Sequence, residues 1–179
     1  MEEKAPGSVI LETEGLILRT HRAADVDALV ELWSDPEVTR HLGGPRDRDW
    51  LRSVFEETAR DPYAERYDLW PLIEKGSGQL VGHCGLLEKE VDGRPEIELT
   101  YVLARPAWGK GYATEIGRAL VRYAFEGRGV ARLIALIEPG NAASERVARK
   151  LGMRLEREIV RPGGEVRKLY IALHRPAQS

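Results

Sequence analysis

Between Trp108 and Ala113 the chain reads Trp-Gly-Lys-Gly-Tyr-Ala, with a strand-like run before it and an amphipathic stretch after it. Glycines let a backbone approach a ligand closely. The first turn of a helix offers N–H groups without intrahelical partners and a partial positive charge. That chemistry suits an anion, and a pyrophosphate is the natural occupant. An ordinary strand-to-helix turn uses glycine for its permissive backbone in the same way, and the loop alone fits both readings. Two other phosphate motifs fail on single residues. A Walker loop needs Lys-Ser or Lys-Thr after its second glycine, where Tyr112-Ala113 stands; a dinucleotide G-x-G-x-x-G needs glycine at Thr114. Cys84, the one cysteine, lies between His83 and Gly85 and reads as a small buried hydrophobe. His21, His41, His83 and His174 show no metal-ligand spacing, and no metal is expected.

Leu16–Arg19 reads as a strand. Asp25–Trp33 reads as a helix that gathers Val26, Leu29, Val30 and Trp33 on one face. Asp35-Pro36 stops it. Asp49–Ala59 is a second helix, with Trp50, Val54 and Phe55 together. Glycine turns at Lys75–Gly78 and Val91–Pro95 then divide three apolar runs, which two hairpins join as antiparallel strands. In the last of these, Ile97, Leu99, Tyr101 and Leu103 alternate with Glu96 and Glu98, so the two carboxylates share the opposite face. A helix from Tyr112 to about Glu126, a buried-type strand Arg132–Ile137, a helix Ala142–Leu151 and two strands, Leu155–Val160 and Val166–Leu173, complete the chain. Asn141 is suited to cap the helix that it precedes. The expectation is one mixed α/β domain over residues 11–175 behind a tail of residues 1–10. Its central sheet is twisted and mostly antiparallel, with about seven strands flanked by about four helices.

Leu103–Glu115, running LARPAWGKGYATE, closely resembles the acetyl-CoA pyrophosphate loop of the GNAT N-acetyltransferases, in particular the branch of ribosomal-protein alanine N-acetyltransferases (RimJ/RimL-like). Asn141-Ala142-Ala143-Ser144 with Leu151-Gly152-Met153, and the opening Leu11–Arg19 with Ser34–Val38, resemble that branch's other motifs in the same order. The resemblance implies acetyl-CoA as co-substrate and direct attack by a primary amine in a ternary complex. A protein N-terminal α-amine is the leading acceptor and a small-molecule amine the alternative. It implies that Trp108, Gly109, Lys110, Gly111, Tyr112, Ala113 and Thr114 hold the pyrophosphate. Val102 and Leu103 would present backbone groups to the pantetheine, and Asn141 its amide. Glu98 would be the general base, directly or through water, ahead of Glu96. Ser144 would be a donor to the departing sulfur. Lys110, Arg146, Arg149 and Lys150 are candidates to neutralise phosphates. Many relatives carry a tyrosine acid on the helix after Asn141, and Ala148 stands there. A CoA-binding module without catalysis is therefore the competing class of function. The acceptor wall is expected around Val38–Trp50; Trp33, Trp50 and Trp70 read as core.

The 179 residues hold 27 Lys+Arg and 29 Asp+Glu, a net charge of −2. Residues 1–104 carry 12 basic and 22 acidic side chains (12 − 22 = −10), and residues 105–179 carry 15 and 7 (15 − 7 = +8). The basic half holds the loop and its helix, which suits a polyanionic co-substrate, and the acidic half suits a cationic amine. No concentrated basic–aromatic pattern points to nucleic acid. No apolar run approaches the roughly 18 residues that span a bilayer. With one cysteine and a polar start, a cytoplasmic protein is expected. The oligomeric state stays open, a homodimer included.

Overall fold

A computed structural model describes residues 5–174. Eight strands form one sheet in the order β1-β2-β3-β4-β5-β6-β8-β7. They are β1 (Val9–Glu12), β2 (Leu16–Arg19), β3 (Leu69–Glu74), β4 (Leu80–Val91), β5 (Arg94–Leu103), β6 (Arg132–Ile137), β7 (Arg154–Val160) and β8 (Val166–Leu173). Every neighbouring pair is antiparallel except β5 and β6, which run parallel. The helices are α1 (Val26–Ser34), α2 (Arg48–Arg60), α3 (Tyr112–Arg122) and α4 (Ala142–Lys150). Among the described residues no helix is long and apolar enough to cross a membrane.

The alternation in β4 and β5 sorts side chains onto two faces. Leu86 and Leu99 join Leu18, Leu72, Leu133 and Tyr170 against Ile116 and Leu120 of α3 and Ala148 of α4. On the other face Val26, Leu29 and Val30 of α1 meet Leu51 and Phe55 of α2. There His83 of β4 takes Trp33 and Phe55 edge-on, at centroid separations of 6.2 and 5.6 Å. Burying a large aliphatic side chain fully is worth about 2 kcal/mol, so the two layers hold the sheet firmly from both sides. A buried bidentate pair, Arg19 Nη1 and Nη2 to Asp25 Oδ2 and Oδ1 at 2.8 Å each, fixes the entry to α1. Asp25 also accepts from the Arg22 amide at 2.7 Å.

The three-strand meander β3-β4-β5 and the strand β6 stand where the sequence puts them. Three expectations are corrected. The sheet has eight strands, because Val9–Glu12 pairs with β2 although it lacks clean alternation; the strand begins inside the segment read as a tail, whose residues 1–4 lie outside those described, as does residue 175. Trp50 is 56% exposed, so the core face of α2 runs through Leu51 and Phe55, one residue out of phase with the reading that led with the indole. The long helix after Tyr112 changes to a π-helical turn over Tyr123–Gly127 before its glycine end.

Candidate active site

β5 and β6 pair only at Ile97↔Leu133 and Glu98↔Ile134 and then diverge. A parallel pair that stops early leaves amide and carbonyl groups of both strands without ladder partners. The gap opens into a cleft of about 720 Å³. Its walls are the end of β5, the loop into α3, the first turns of α3 and α4, and the turn from Glu37 to Leu42 that follows α1.

Gly111 is the N-cap of α3 with φ 82°, and Gly109 has φ 73°. Both lie in the left-handed region, which only glycine enters at little cost. No side chain caps this helix. The first helical bond runs from the Glu115 amide to the Gly111 carbonyl, so the amides of Tyr112, Ala113 and Thr114 face the cleft unbonded within the helix, the arrangement that an oxyanion seeks. Glu115 does not compete for them, because its Oε1 accepts from Thr13 Oγ1 (2.6 Å) and the Gly15 amide (2.8 Å). Trp108, 48% exposed, donates its indole N–H to the Leu103 carbonyl at 2.8 Å and fixes the end of β5.

Across the cleft, Asn141 Oδ1 accepts from the Ser144 amide at 3.2 Å and caps α4, which leaves its NH2 group available. Tyr101 Oη donates to the Ser144 carbonyl at 3.2 Å, tying β5 to α4, and burial pushes its phenol up to about 12. Arg146 and Lys150 line the α4 wall. Of the residues singled out in the sequence, Val102, Leu103, Trp108, Gly109, Gly111, Tyr112, Ala113, Thr114, Asn141 and Ser144 all line this cleft.

Others stand elsewhere. Lys110 Nζ lies 3.2 Å from Glu74 Oε1, which also accepts from Tyr112 Oη at 2.6 Å. Hydrogen bonds from Ser77, Tyr112 and Lys110 hold the Glu74 carboxyl down at about 2. Arg149 turns to Glu145 and the Tyr170 hydroxyl. Glu98 lies at the foot of the gap, where the strands are still paired, and is not a lining residue. Its side chain is 13% exposed and 3.9 Å from Lys89 Nζ. Burial raises its carboxyl above the usual range, against the pull of Lys89, the nearby Leu136 amide, Arg161 and Arg167. Ala148 is fully buried on the inner face of α4, and Cys84 is fully buried with its thiol pushed up to about 12.

Tyr101 and the pair His41 and Glu138 were not legible as site residues. Tyr101 falls in phase with the apolar face of β5, and His41 pairs with a residue 97 positions away, Nδ1 to Oε2 at 2.6 Å. No local pattern carries either signal.

The chain matches the family described as Acetyltransferase (GNAT) domain over residues 15–154. It belongs to the GNAT acetyltransferase family. It is similar to the uncharacterized protein YkkB of Bacillus subtilis, 34% identical over 150 residues that cover 83% of this chain and 87% of YkkB. It is also similar to the uncharacterized N-acetyltransferase p20 of Bacillus licheniformis, 32% identical over 82% of this chain and 83% of p20. A solved GNAT acetyltransferase from Bacillus anthracis superposes with a TM-score of 0.75 at 27% identity, over 91% of this chain and 97% of that one. An aminoglycoside acetyltransferase in complex with coenzyme A (18%, TM-score 0.67) and a ribosomal-protein-serine acetyltransferase of Vibrio cholerae (17%, TM-score 0.73) share the fold. The GNAT chain is therefore an acyltransferase, and the family's acetyl-CoA is the co-substrate against which the cleft has to be judged. The free amides of α3, the unpaired strand edges and the two cations on α4 fit a pyrophosphate joined to a chain of amides.

Proposed function

We propose that this enzyme transfers the acetyl group of acetyl-CoA to a primary amine by direct attack in a ternary complex, and that the acceptor is the α-amine of a protein N-terminus. The carrying observation is the gap between β5 and β6, which leads from the uncapped start of α3 to Ser144 and Asn141. Pyrophosphate oxygens would take the amides of residues 112–114, and Arg146 and Lys150 would offset the remaining charge. The pantetheine would add to the open edge of β5 around Leu103, beside Val102, as an extended peptide adds to a sheet, with the Asn141 NH2 group as a further donor. The thioester would then lie beside the first turn of α4, where Ser144 Oγ can give a proton to the departing sulfur.

Glu98, 13% exposed and outside the lining of the cleft, could reach a proton of the amine only through water. The α-amine acceptor rests on the likeness of Leu11–Arg19, the loop and Asn141–Ser144 to the ribosomal-protein alanine branch. Incubation with acetyl-CoA and equal concentrations of N-terminal peptides, polyamines and aminoglycosides, followed by mass spectrometry, tests it. Addition of one acetyl group at a peptide α-amine in preference to the small amines is expected. Exclusive acetylation of a small amine would replace the acceptor and leave the transfer reaction standing.

A further inference from the structure

His41 belongs to the turn between α1 and α2 and lines the same cleft as Ser144 and Asn141. That turn is held from several directions. Thr39 is fully buried and its Oγ1 donates to the Asp35 carbonyl at 2.7 Å; the Leu42 and Gly44 amides close onto the Thr39 carbonyl at 2.8 and 3.0 Å. Asp35 Oδ2 meets Arg105 Nε at 2.9 Å, which ties the turn to the loop after β5. Glu138 directly follows β6, and its carbonyl accepts from the Asn141 amide at 3.0 Å, so it is part of the turn that starts α4.

The 2.6 Å contact between Glu138 Oε2 and His41 Nδ1 has one chemical sense when the imidazole is neutral. An ionised carboxylate only accepts, so Nδ1 carries the hydrogen and the lone pair sits on Nε2. No hydrogen bond to Nε2 is formed among the described residues. Side-chain exposures of 33% and 37% leave the pair open to a ligand, in contrast to Glu98, whose side chain is 13% exposed and outside the lining of the cleft.

We propose that His41, oriented by Glu138, is the base that takes the proton from the acceptor ammonium. The inference rests on the acetyl-transfer reading above. One N–H proton of the ammonium passes to His41 Nε2, and the freed amine forms the C–N bond at the thioester carbonyl. The C–S bond then breaks; the second N–H proton reaches the sulfur through Ser144, and His41 returns its proton to solvent. Glu138 is a positioning residue: it fixes the tautomer and stabilises the imidazolium, as a carboxylate beside a base does. The charged and titratable groups that face this part of the cleft are Glu37 and Arg40 from the same turn, Tyr101 from β5, Tyr112 from α3, and Arg146 and Lys150 from α4.

The test is the pH dependence of amine kcat/KM in wild type, His41→Gln and Glu138→Gln, with acetyl-CoA affinity measured separately by calorimetry. His41→Gln should lose about 100-fold in kcat/KM, the scale of one general base, and should lose the acidic limb with acetyl-CoA Kd unchanged. Glu138→Gln should move the limb to lower pH, and added imidazole should restore part of the rate to His41→Ala. Should His41→Gln fail to fold, the displaced limb of Glu138→Gln decides. A His41→Gln enzyme within about threefold of wild type with its acidic limb intact would overturn this role alone. A wild type that binds CoA but releases no thiol with any amine would overturn the transfer reading, and this role with it.

Discussion

Ser144 and the buried histidines show how much depends on which atom of a side chain is committed. The Ser144 amide is bonded by Asn141 and its carbonyl by Tyr101, so the backbone is fixed while the hydroxyl is left for the ligand. Ser144→Ala should lower kcat by about 10- to 100-fold, at the weaker end of proton-transfer effects. The acetyl-CoA Kd and the melting temperature should stay unchanged; a parallel loss of affinity would mean that Ser144 binds rather than reacts. On the opposite side of β4 the chemistry serves stability. Trp33 Nε1 donates to His83 Nδ1 at 3.0 Å, so His83 carries its hydrogen on Nε2 and gives it to His21 Nε2, 3.0 Å away. Burial lowers His21 to about 4 and His83 well below the ordinary imidazole value. The unfolded chain therefore binds protons at a higher pH than the folded one. Stability from this pair is full above about pH 6.5 and is lost as pH falls from there towards 4; His21 alone accounts for about 3 kcal/mol of that loss. Urea midpoints at pH 7 and pH 5 should show the fall, and the His21→Phe His83→Phe double variant, if it folds, should flatten it.

Two helix starts and one strand divergence build the cleft, and each fails in its own way. Gly111→Ala places a Cβ on a residue at φ 82°, which costs about 1 kcal/mol. Because the strain falls on the amides that face the cleft, acetyl-CoA affinity should drop further than the melting temperature suggests, a split that calorimetry and thermal unfolding resolve. Asn141→Ala removes the cap of α4 at about 1 kcal/mol, and it should raise the KM for acetyl-CoA as well, since the same side chain presents its NH2 group. These elements were legible because glycine, asparagine and helical spacing leave local marks. Glu98 was legible as a residue and not as a place. Alternation assigns its face, but only the point at which β5 and β6 part shows that it stands below the cleft rather than in its wall. Glu98→Gln should accordingly change kcat less than His41→Gln does; the reverse order would return the proton to Glu98.

Taken whole, the molecule divides its charge as its sequence does, although unevenly at the cleft. The basic half supplies Arg146 and Lys150, and the acidic half supplies Glu37 together with a cation, Arg40. Long-range attraction should therefore act mainly on the nucleotide. The kcat/KM for acetyl-CoA should fall several-fold as salt rises through the range where the Debye length drops below about 10 Å, while amine KM moves less. The hairpins of β3-β4-β5 follow from turn residues and the helices from periodicity, whereas the place of β6 between β5 and β8 does not. The contacts that meet across the cleft join the turn after α1 to the end of β6, and such long-range pairing leaves no local trace in one sequence. The decisive measurement is a crystal structure with coenzyme A bound. Pyrophosphate oxygens are expected on the amides of residues 112–114, the pantetheine along Val102 and Leu103, and the sulfur beside Ser144 with His41 Nε2 facing it. A coenzyme bound elsewhere, for instance in the arginine-lined groove beside Arg94, Arg128 and Arg132 at the other end of the sheet, would contradict it.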